Sequence, residues 1–533
     1  MRLRTRVVAV TAASGLLLTA CGDGGGGVDL DDPTAQDTED PGTDDPGTDG
    51  DTDAGEATAD GTEGGTLVAA IGGEPDQLNP LTTTSSFAFT VLENVYDTLV
   101  QPGDDLTPEP ALAESWETSD DLLTWVFTLR EGVTFHDGSD FTADDVVASM
   151  EYIRDEGANG WRLEAVDAFE ATDDYTVTVN LNRPAPNLLD QLGPFKGMAI
   201  VPSEQIDAGT LGDEVIGTGP FQLTSASADV LELEAYADYW GEGPYLDGIE
   251  FRIIPDEGVK LTNLETGEVD WIDSVPPEQV TDLEQMGEVE VGRVAGNDYW
   301  YMALNNEREP FDDPDVRRAI AFALDPVAIA EATNFDAATP NETAIPEGSF
   351  WYLDYAPFGH DPDQAQSLLD EAGVDGLSID LMVTNEFPET VTAAQVIASQ
   401  LGEVGVDVQI RTEDFTTWLA EQGEGNFDAF ALGWLGNIDP DDFYYAQHHS
   451  EGVNNFQGFD DAEVDQLLDD ARVEVDEEAR KELYDQAAQR IVDQASYIYF
   501  YNPDIVEAWS PDVSGYVTRA DSATRFVDTR LEE

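Results

Sequence analysis

The 533-residue chain contains one cysteine, four histidines and 22 basic side chains against 113 acidic ones. The lone cysteine, Cys21, excludes an intramolecular disulfide and any multi-thiolate metal site. Lysine is the scarcest charge: Lys196, Lys260 and Lys481 stand against 19 arginines. The net charge of −91 repels a phosphate backbone and an anionic lipid surface. Nucleic-acid binding and membrane docking through a basic patch are thereby excluded. The apolar run Val7–Ala20 is shorter than the ~20 residues of a membrane-spanning helix. A Gly-x-Ser-x-Gly elbow, a phosphate-binding loop and a His-Glu-x-x-His pair are all missing, and no cysteine nucleophile follows Cys21. A hydrolase reading keeps only its carboxylate pairs, which 113 acids make uninformative.

What is present begins with a leader. Arg2, Arg4 and Arg6 precede the apolar stretch, and Leu18-Thr19-Ala20-Cys21-Gly22 resembles a bacterial lipobox. Residues 1–21 therefore read as a lipoprotein signal peptide, with Cys21 the lipidated residue of an outward-facing protein. Two or three acyl chains suffice for stable anchoring. Residues 22–65 hold 15 acids and no base, in repeats such as Asp40-Pro41-Gly42-Thr43-Asp44. Such a segment buries no core and is extended by its own charge, so it reads as an acidic disordered tether.

From Thr66 the pattern becomes periodic. Leu123, Trp125, Phe127 and Leu129 alternate, as do the residues of Tyr175–Leu181, and both read as half-buried strands. Further strands are expected at Thr66–Ile71, Ile249–Ile254, Tyr299–Leu304, Ile379–Val383, Val406–Arg411, Asp428–Trp434 and Tyr497–Tyr501. Helices are expected from Thr142, with Asp145 completing a capping box, and over Asp315–Ala323, Pro362–Ala372, Thr390–Val404, Asp461–Arg472 and Glu477–Asp493. This mixture predicts α/β sheets covered by helices. Ala337–Ala356 and Gly436–Asn455 read as long irregular loops, a form binding loops often take.

The motifs then converge. Glu74-Pro75-Asp76-Gln77-Leu78-Asn79-Pro80 is followed by Pro110-Ala111-Leu112-Ala113-Glu114-Ser115-Trp116. Leu123 to Gly138 (LTWVFTLREGVTFHDG) runs into Phe141-Thr142-Ala143-Asp144-Asp145-Val146, and Gly217-Thr218-Gly219-Pro220-Phe221 comes later. Asp315-Val316-Arg317-Arg318-Ala319-Ile320, Gly433-Trp434 with Asp439-Pro440-Asp441, and Tyr497-Ile498-Tyr499 complete the series. In this order, from about Thr66 to Phe526, they resemble the extracytoplasmic solute-binding proteins of ABC importers, family 5 (peptide/nickel type). The resemblance implies a type II periplasmic-binding-protein fold with two lobes joined by a two-strand hinge. Lobe I would span 66–296 with a return segment 503–533, and lobe II 297–502. A ligand would be enclosed as the lobes close. It further implies a monomer that performs no chemistry, carries no cofactor or metal, and hands a peptide or other small solute to an ABC permease and its ATPase.

For the site, the resemblance points to the end of a strand. In peptide-binding relatives the backbone of the residues matching Gly433 and Trp434 pairs with an extended peptide, and an Asp three residues after the Trp holds its ammonium. Here that position is Asn437, which offers no ion pair; Asp439, two residues on, is a candidate substitute. The Arg that holds a dipeptide carboxylate is also missing, the matching stretch being Thr390-Val391-Thr392-Ala393. Longer or blocked peptides, a metal chelate and a cationic metabolite all stay open. Glu74, Tyr301 and Tyr499 complete the candidate set. Each has a competing assignment: Trp434 and the tyrosines to the core, Asp439 to a turn, Glu74 to an exposed loop. His448 and His449 beside Asp439, Asp441 and Asp442 are an arrangement with metal-ligand chemistry, though adjacent residues of an extended chain face opposite ways, and the tether carboxylates from Asp44 to Asp53 lack the spacing of a calcium loop.

The leader contributes +3 and the tether −15, leaving −79 on residues 66–533. The acidity therefore belongs to the folded lobes, and with lysine so scarce it describes a surface suited to high external salt. Raising salt from ~0.01 M to ~1 M shortens the screening length from roughly 30 Å to roughly 3 Å. The thermal midpoint should rise markedly over that range in a sodium chloride titration. Full stability in salt-free buffer would sink this expectation.

Overall fold

The computed structural model describes residues 64–532 except 104, 105, 375, 386 and 435. The leader, Cys21 and residues 22–63 lie outside the described residues. One sheet organises the rest. Its path runs from Asp407–Glu413 through Ser378–Thr384, Ala429–Trp434 and Tyr299–Leu304 to the strand Tyr497–Trp509. It continues through Trp271–Ile272, Thr66–Ile71, Gly248–Ile253 and Val230–Ala235 to Phe221–Ala226. A separate antiparallel sheet of four strands, Ala113–Thr118, Thr124–Leu129, Thr176–Leu181 and Val166–Asp173, belongs to lobe I.

The 13-residue strand Tyr497–Trp509 joins the halves. Its first part pairs antiparallel with Tyr299–Leu304 in lobe II, and its second with Glu290–Ala295 in lobe I. The sequence pattern marks this strand only over Tyr497–Tyr501, but the chain runs extended on through Asn502-Pro503-Asp504. The chain stays extended there because Asn502 replaces the missing ladder bonds. Its amide donates to the carbonyls of Asp298 and Ala344, both at 2.9 Å, and accepts from Asn341 Nδ2 at 2.9 Å. Asn502 is fully buried. On the lobe I side Arg293 Nε meets Asp504 at 2.6 Å.

In lobe II the central strands Ala429–Trp434 and Tyr299–Leu304 are almost uninterruptedly apolar because both faces are covered. One face packs on Ile320, Leu369, Ile397 and Leu401, and the other on Trp418, Phe443, Tyr484 and Ile491. In lobe I the helix Ala143–Glu156 starts where its sequence predicts. Asp145 reaches back to the Thr142 N–H at 2.9 Å, and its other oxygen accepts from Ser203 N and Oγ at 2.8 Å.

One expected loop is wrong in part. Gly436–Asn455 contains the helix Asp441–His448, with two acids in its first turn and Phe443, Tyr444 and His448 buried on one side. Its eight residues are too few for a clear 3.6-residue period, and burial of the aromatics decides it. Ala337–Ala356 is irregular except for Ala338–Pro340, which pairs with Tyr501–Pro503.

Asn502→Leu should strand the two carbonyls it now satisfies, at about 1–3 kcal/mol each. A urea titration would show this as a lower midpoint; an unchanged midpoint would mean the crossing is held by strand pairing alone.

Candidate ligand-binding site

The strand Ala429–Trp434 ends at the seam between the lobes. Along one edge it pairs with Tyr299–Leu304 over its full length, Tyr299 opposite Trp434. On the other edge it pairs with Ser378–Thr384 only at Ala429 and Phe430. Among the described residues, no strand pairs with Gly433 or Trp434 on that side. Gly433 is required by packing, since a Cβ there would lie 2.8 Å from the Trp300 indole. Trp434 is half-buried at the margin of the lobe II core.

After this strand the chain bends against the hinge. Gly436 passes so close to Asn297 that a Cβ would fall 1.7 Å from its carbonyl oxygen. The Gly436 N–H donates to Asp298 Oδ1 at 3.0 Å. Burial raises the Asp298 pKa, and Lys196 of lobe I and this N–H oppose it. Lys196 acts likewise on Glu93, whose pKa burial pushes up to about 8.

Lobe I closes the seam with two short segments. From the turn Gly160–Leu163, Arg162 Nη2 donates to Asn437 Oδ1 at 3.0 Å. From Asn187 and the helix Leu188–Leu192, Asn187 Nδ2 donates to Asp439 Oδ1 at 3.1 Å, and Gln191 approaches Asp442 at 3.4 Å. Glu164 of lobe I accepts from Arg183 at 2.7 Å and also from Arg472 of lobe II. Arg472 in turn pairs with Asp441 at 3.0 Å. Burial first, and then the neighbouring acids Asp439 and Asp441, push Asp442 up to about 7 despite the opposing Arg162.

Several expected site residues sit elsewhere. Tyr301 is fully buried and stacks on Tyr497 with ring centroids 3.9 Å apart. Tyr499, opposite Tyr301 in the ladder, is 2% exposed and shares a hydrogen bond of 2.9 Å with His448 Nε2. Both belong to the lobe II core in this structure. This strand is covered on both faces, so its alternate residues choose between two cores rather than between a core and the cleft. Asp439 does not take the place of an ammonium-binding carboxylate. It is fully buried, and its two oxygens accept from Arg480 Nη1 at 2.7 Å and Nη2 at 2.8 Å. Burial alone would lower the Arg480 pKa, but Asp439 beside it raises it far above the ordinary value. Glu74 lies exposed on the loop after Thr66–Ile71. Gly433, Trp434 and Asn437 are the expected residues that the structure brings to the seam.

The histidines are also engaged. His448 contacts Ser496 and Tyr499 through its two nitrogens, both at 2.9 Å, and burial pushes its pKa down to about 3. His449 turns toward Asp465 and Asp469. Among the described residues, no group of three or more His, Cys, Asp and Glu side chains is placed to hold a metal ion, and no helix is long and apolar enough to cross a membrane. The residues that sequence reasoning missed are Arg162, Asn187, Asp298 and Lys196. Only Lys196 carried a signal, through the scarcity of lysine; nothing local marks Arg162 among 19 arginines.

Residues 107–455 match the model of the bacterial extracellular solute-binding proteins, family 5 Middle. The chain belongs to this family. Family 5 relatives include the dipeptide-binding protein of Escherichia coli K12, 31% identical over 448 residues covering 76% of this chain and 83% of that one. The glutathione-binding protein GsiB of Shigella flexneri is 28% identical, covering 87% of this chain and 94% of its own. Among solved structures, DppA of Helicobacter pylori in complex with the peptide STSA is similar with a TM-score of 0.76 and 29% identity, over 89% of this chain and 99% of that one. AgaA of A. tumefaciens R10 with agropinic acid gives 0.75 and 29%, over 88% and 99%. These neighbours are type II periplasmic binding proteins, and this family 5 chain shares their two-lobed α/β fold.

Removing one partner of the buried Asp439–Arg480 pair should cost about 3–5 kcal/mol, because an uncompensated charge is left inside. Asp439→Ala should therefore lower the denaturation midpoint strongly with ligand absent. A ligand-binding defect at undiminished stability would return Asp439 to the ligand.

Proposed function

We propose that this protein is the extracytoplasmic receptor of an ABC importer, anchored to the outer face of the cell membrane by lipidated Cys21. It encloses a peptide or peptide-like solute between its lobes and delivers it to a membrane permease and ATPase complex. The observation that carries the ligand class is the strand edge at Gly433–Trp434, whose outer side has, among the described residues, no strand pairing beyond Phe430. An extended backbone can add to such an edge as a further strand, the main-chain bonds supplying affinity that does not depend on side chains. The hinge and the hydrogen bonds across the seam supply the second requirement, a closed state that both lobes stabilise. Relatives named for dipeptides and glutathione support this reading.

A second reading, a receptor for a different small solute, is favoured by Asn437, which removes the carboxylate that a peptide ammonium would meet. The resemblance to AgaA with agropinic acid agrees with it. Mass spectrometry of protein purified without added ligand and then denatured distinguishes the two by the mass released. Trp434→Ala should abolish ligand-induced thermal stabilisation, and unchanged stabilisation would place the site elsewhere. Absence of both a co-purified molecule and a thermal shift with a mixed peptide pool would overturn the peptide reading.

A further inference from the structure

Four arginines gather at the seam, and three are satisfied. Arg480 is held by Asp439, Arg472 by Asp441 and Glu164, and Arg183 by Glu164. Arg162 is not. It is 5% exposed, its Nη2 reaches Asn437 Oδ1, and its Nε and Nη1 have no hydrogen-bond partner. The Trp161 ring lies 5.0 Å from its Cζ, which covers the cation without accepting its N–H groups. Asp442 is near enough to oppose the burial shift of Arg162 but forms no ion pair with it.

A guanidinium only donates. Asn437 must therefore turn its oxygen toward Arg162, which leaves the amide NH2 as the group it offers elsewhere. One Nη2 hydrogen is committed to Asn437. The other, with Nε–H or Nη1–H, forms an open fork of the spacing that fits a carboxylate. Closing the lobes over a cation with unmatched donors is costly, and an acceptor arriving with the ligand removes that cost.

We propose that Arg162, with the Asn437 amide, receives a carboxylate of the bound solute, so that full closure depends on a ligand bearing one at this end of the cleft. This rests on the reading of the seam as the solute site. It assigns the solute class as a peptide or peptide-like molecule with a free carboxylate, and gives this end of the cleft the opposite polarity from an ammonium site.

The test uses the full chain and a mixed di- and tripeptide pool in three forms: free, C-terminally amidated and N-acetylated, with sodium acetate as a fourth probe. Free and N-acetylated pools should raise the thermal midpoint, and the amidated pool should not. Arg162→Gln should keep or raise the midpoint without ligand and weaken binding of the free pool at least tenfold. Asn437→Asp, which supplies an acceptor from within, should fold normally and lose the same response. Equal binding of amidated and free pools, undiminished binding by Arg162→Gln, or loss of folding in Arg162→Gln with full binding by Asn437→Asp each overturns the proposal while leaving the receptor reading intact. Stabilisation by acetate equal to that by peptides overturns it in favour of a free-anion site. No shift of the wild type with any pool overturns both.

Discussion

The strand Tyr497–Trp509 is the constraint on which the rest of this molecule depends. It changes sheet partners at Asn502–Asp504 without breaking, so it belongs to both lobes at once. A strand can do this only if the polar groups exposed at the change of partner are satisfied, and Asn502 does so with three hydrogen bonds. The second connection, through Gly296, Asn297 and Asp298, lies beside it. Two adjacent strands permit rotation about their shared line and resist other displacements, which is the motion a closing receptor needs.

That hinge also sets what the candidate site can be. Gly436 is pressed against Asn297 and donates to Asp298, so the loop after Trp434 is fixed to the hinge rather than carried free on lobe II. The charged side chains around it divide by burial and by pairing. Asp439 and Arg480 saturate one another inside lobe II and brace the loop from behind. Asn437 lies in front of that pair and faces lobe I through Arg162. Two polar positions two residues apart in sequence, the amide Asn437 and the acid Asp439, thus have unlike surroundings, the acid a structural anchor and the amide part of the seam.

The acid excess has a local counterpart. Desolvation raises the carboxyl pKa values of Glu93, Asp442 and Glu507 to between about 7 and about 8. The native state holds these protons longer than the unfolded chain does. Their contribution to stability is present below the ordinary carboxyl range and is lost as pH rises through 7 to 8. The surface acids follow a different rule, since they remain solvated and respond to salt more than to pH near neutrality.

Periodicity and order of motifs sufficed for the family, the α/β class and elements such as Thr66–Ile71, Tyr299–Leu304 and Pro362–Ala372, whose patterns are strong and local. They also placed Gly433 and Trp434 at the end of a strand, as found in Ala429–Trp434. The hydrogen bonds that carry the strand through Asn502, the helix Asp441–His448 and the burial of Tyr301 and Tyr499 were not legible. Each depends on partners more than forty residues away, or on how many faces of a strand are covered. The partnership of Asp439 with Arg480 and the unpartnered fork of Arg162 are of the same kind. A sequence states which residues can be charged, and only the packed fold determines which of those charges meet a partner.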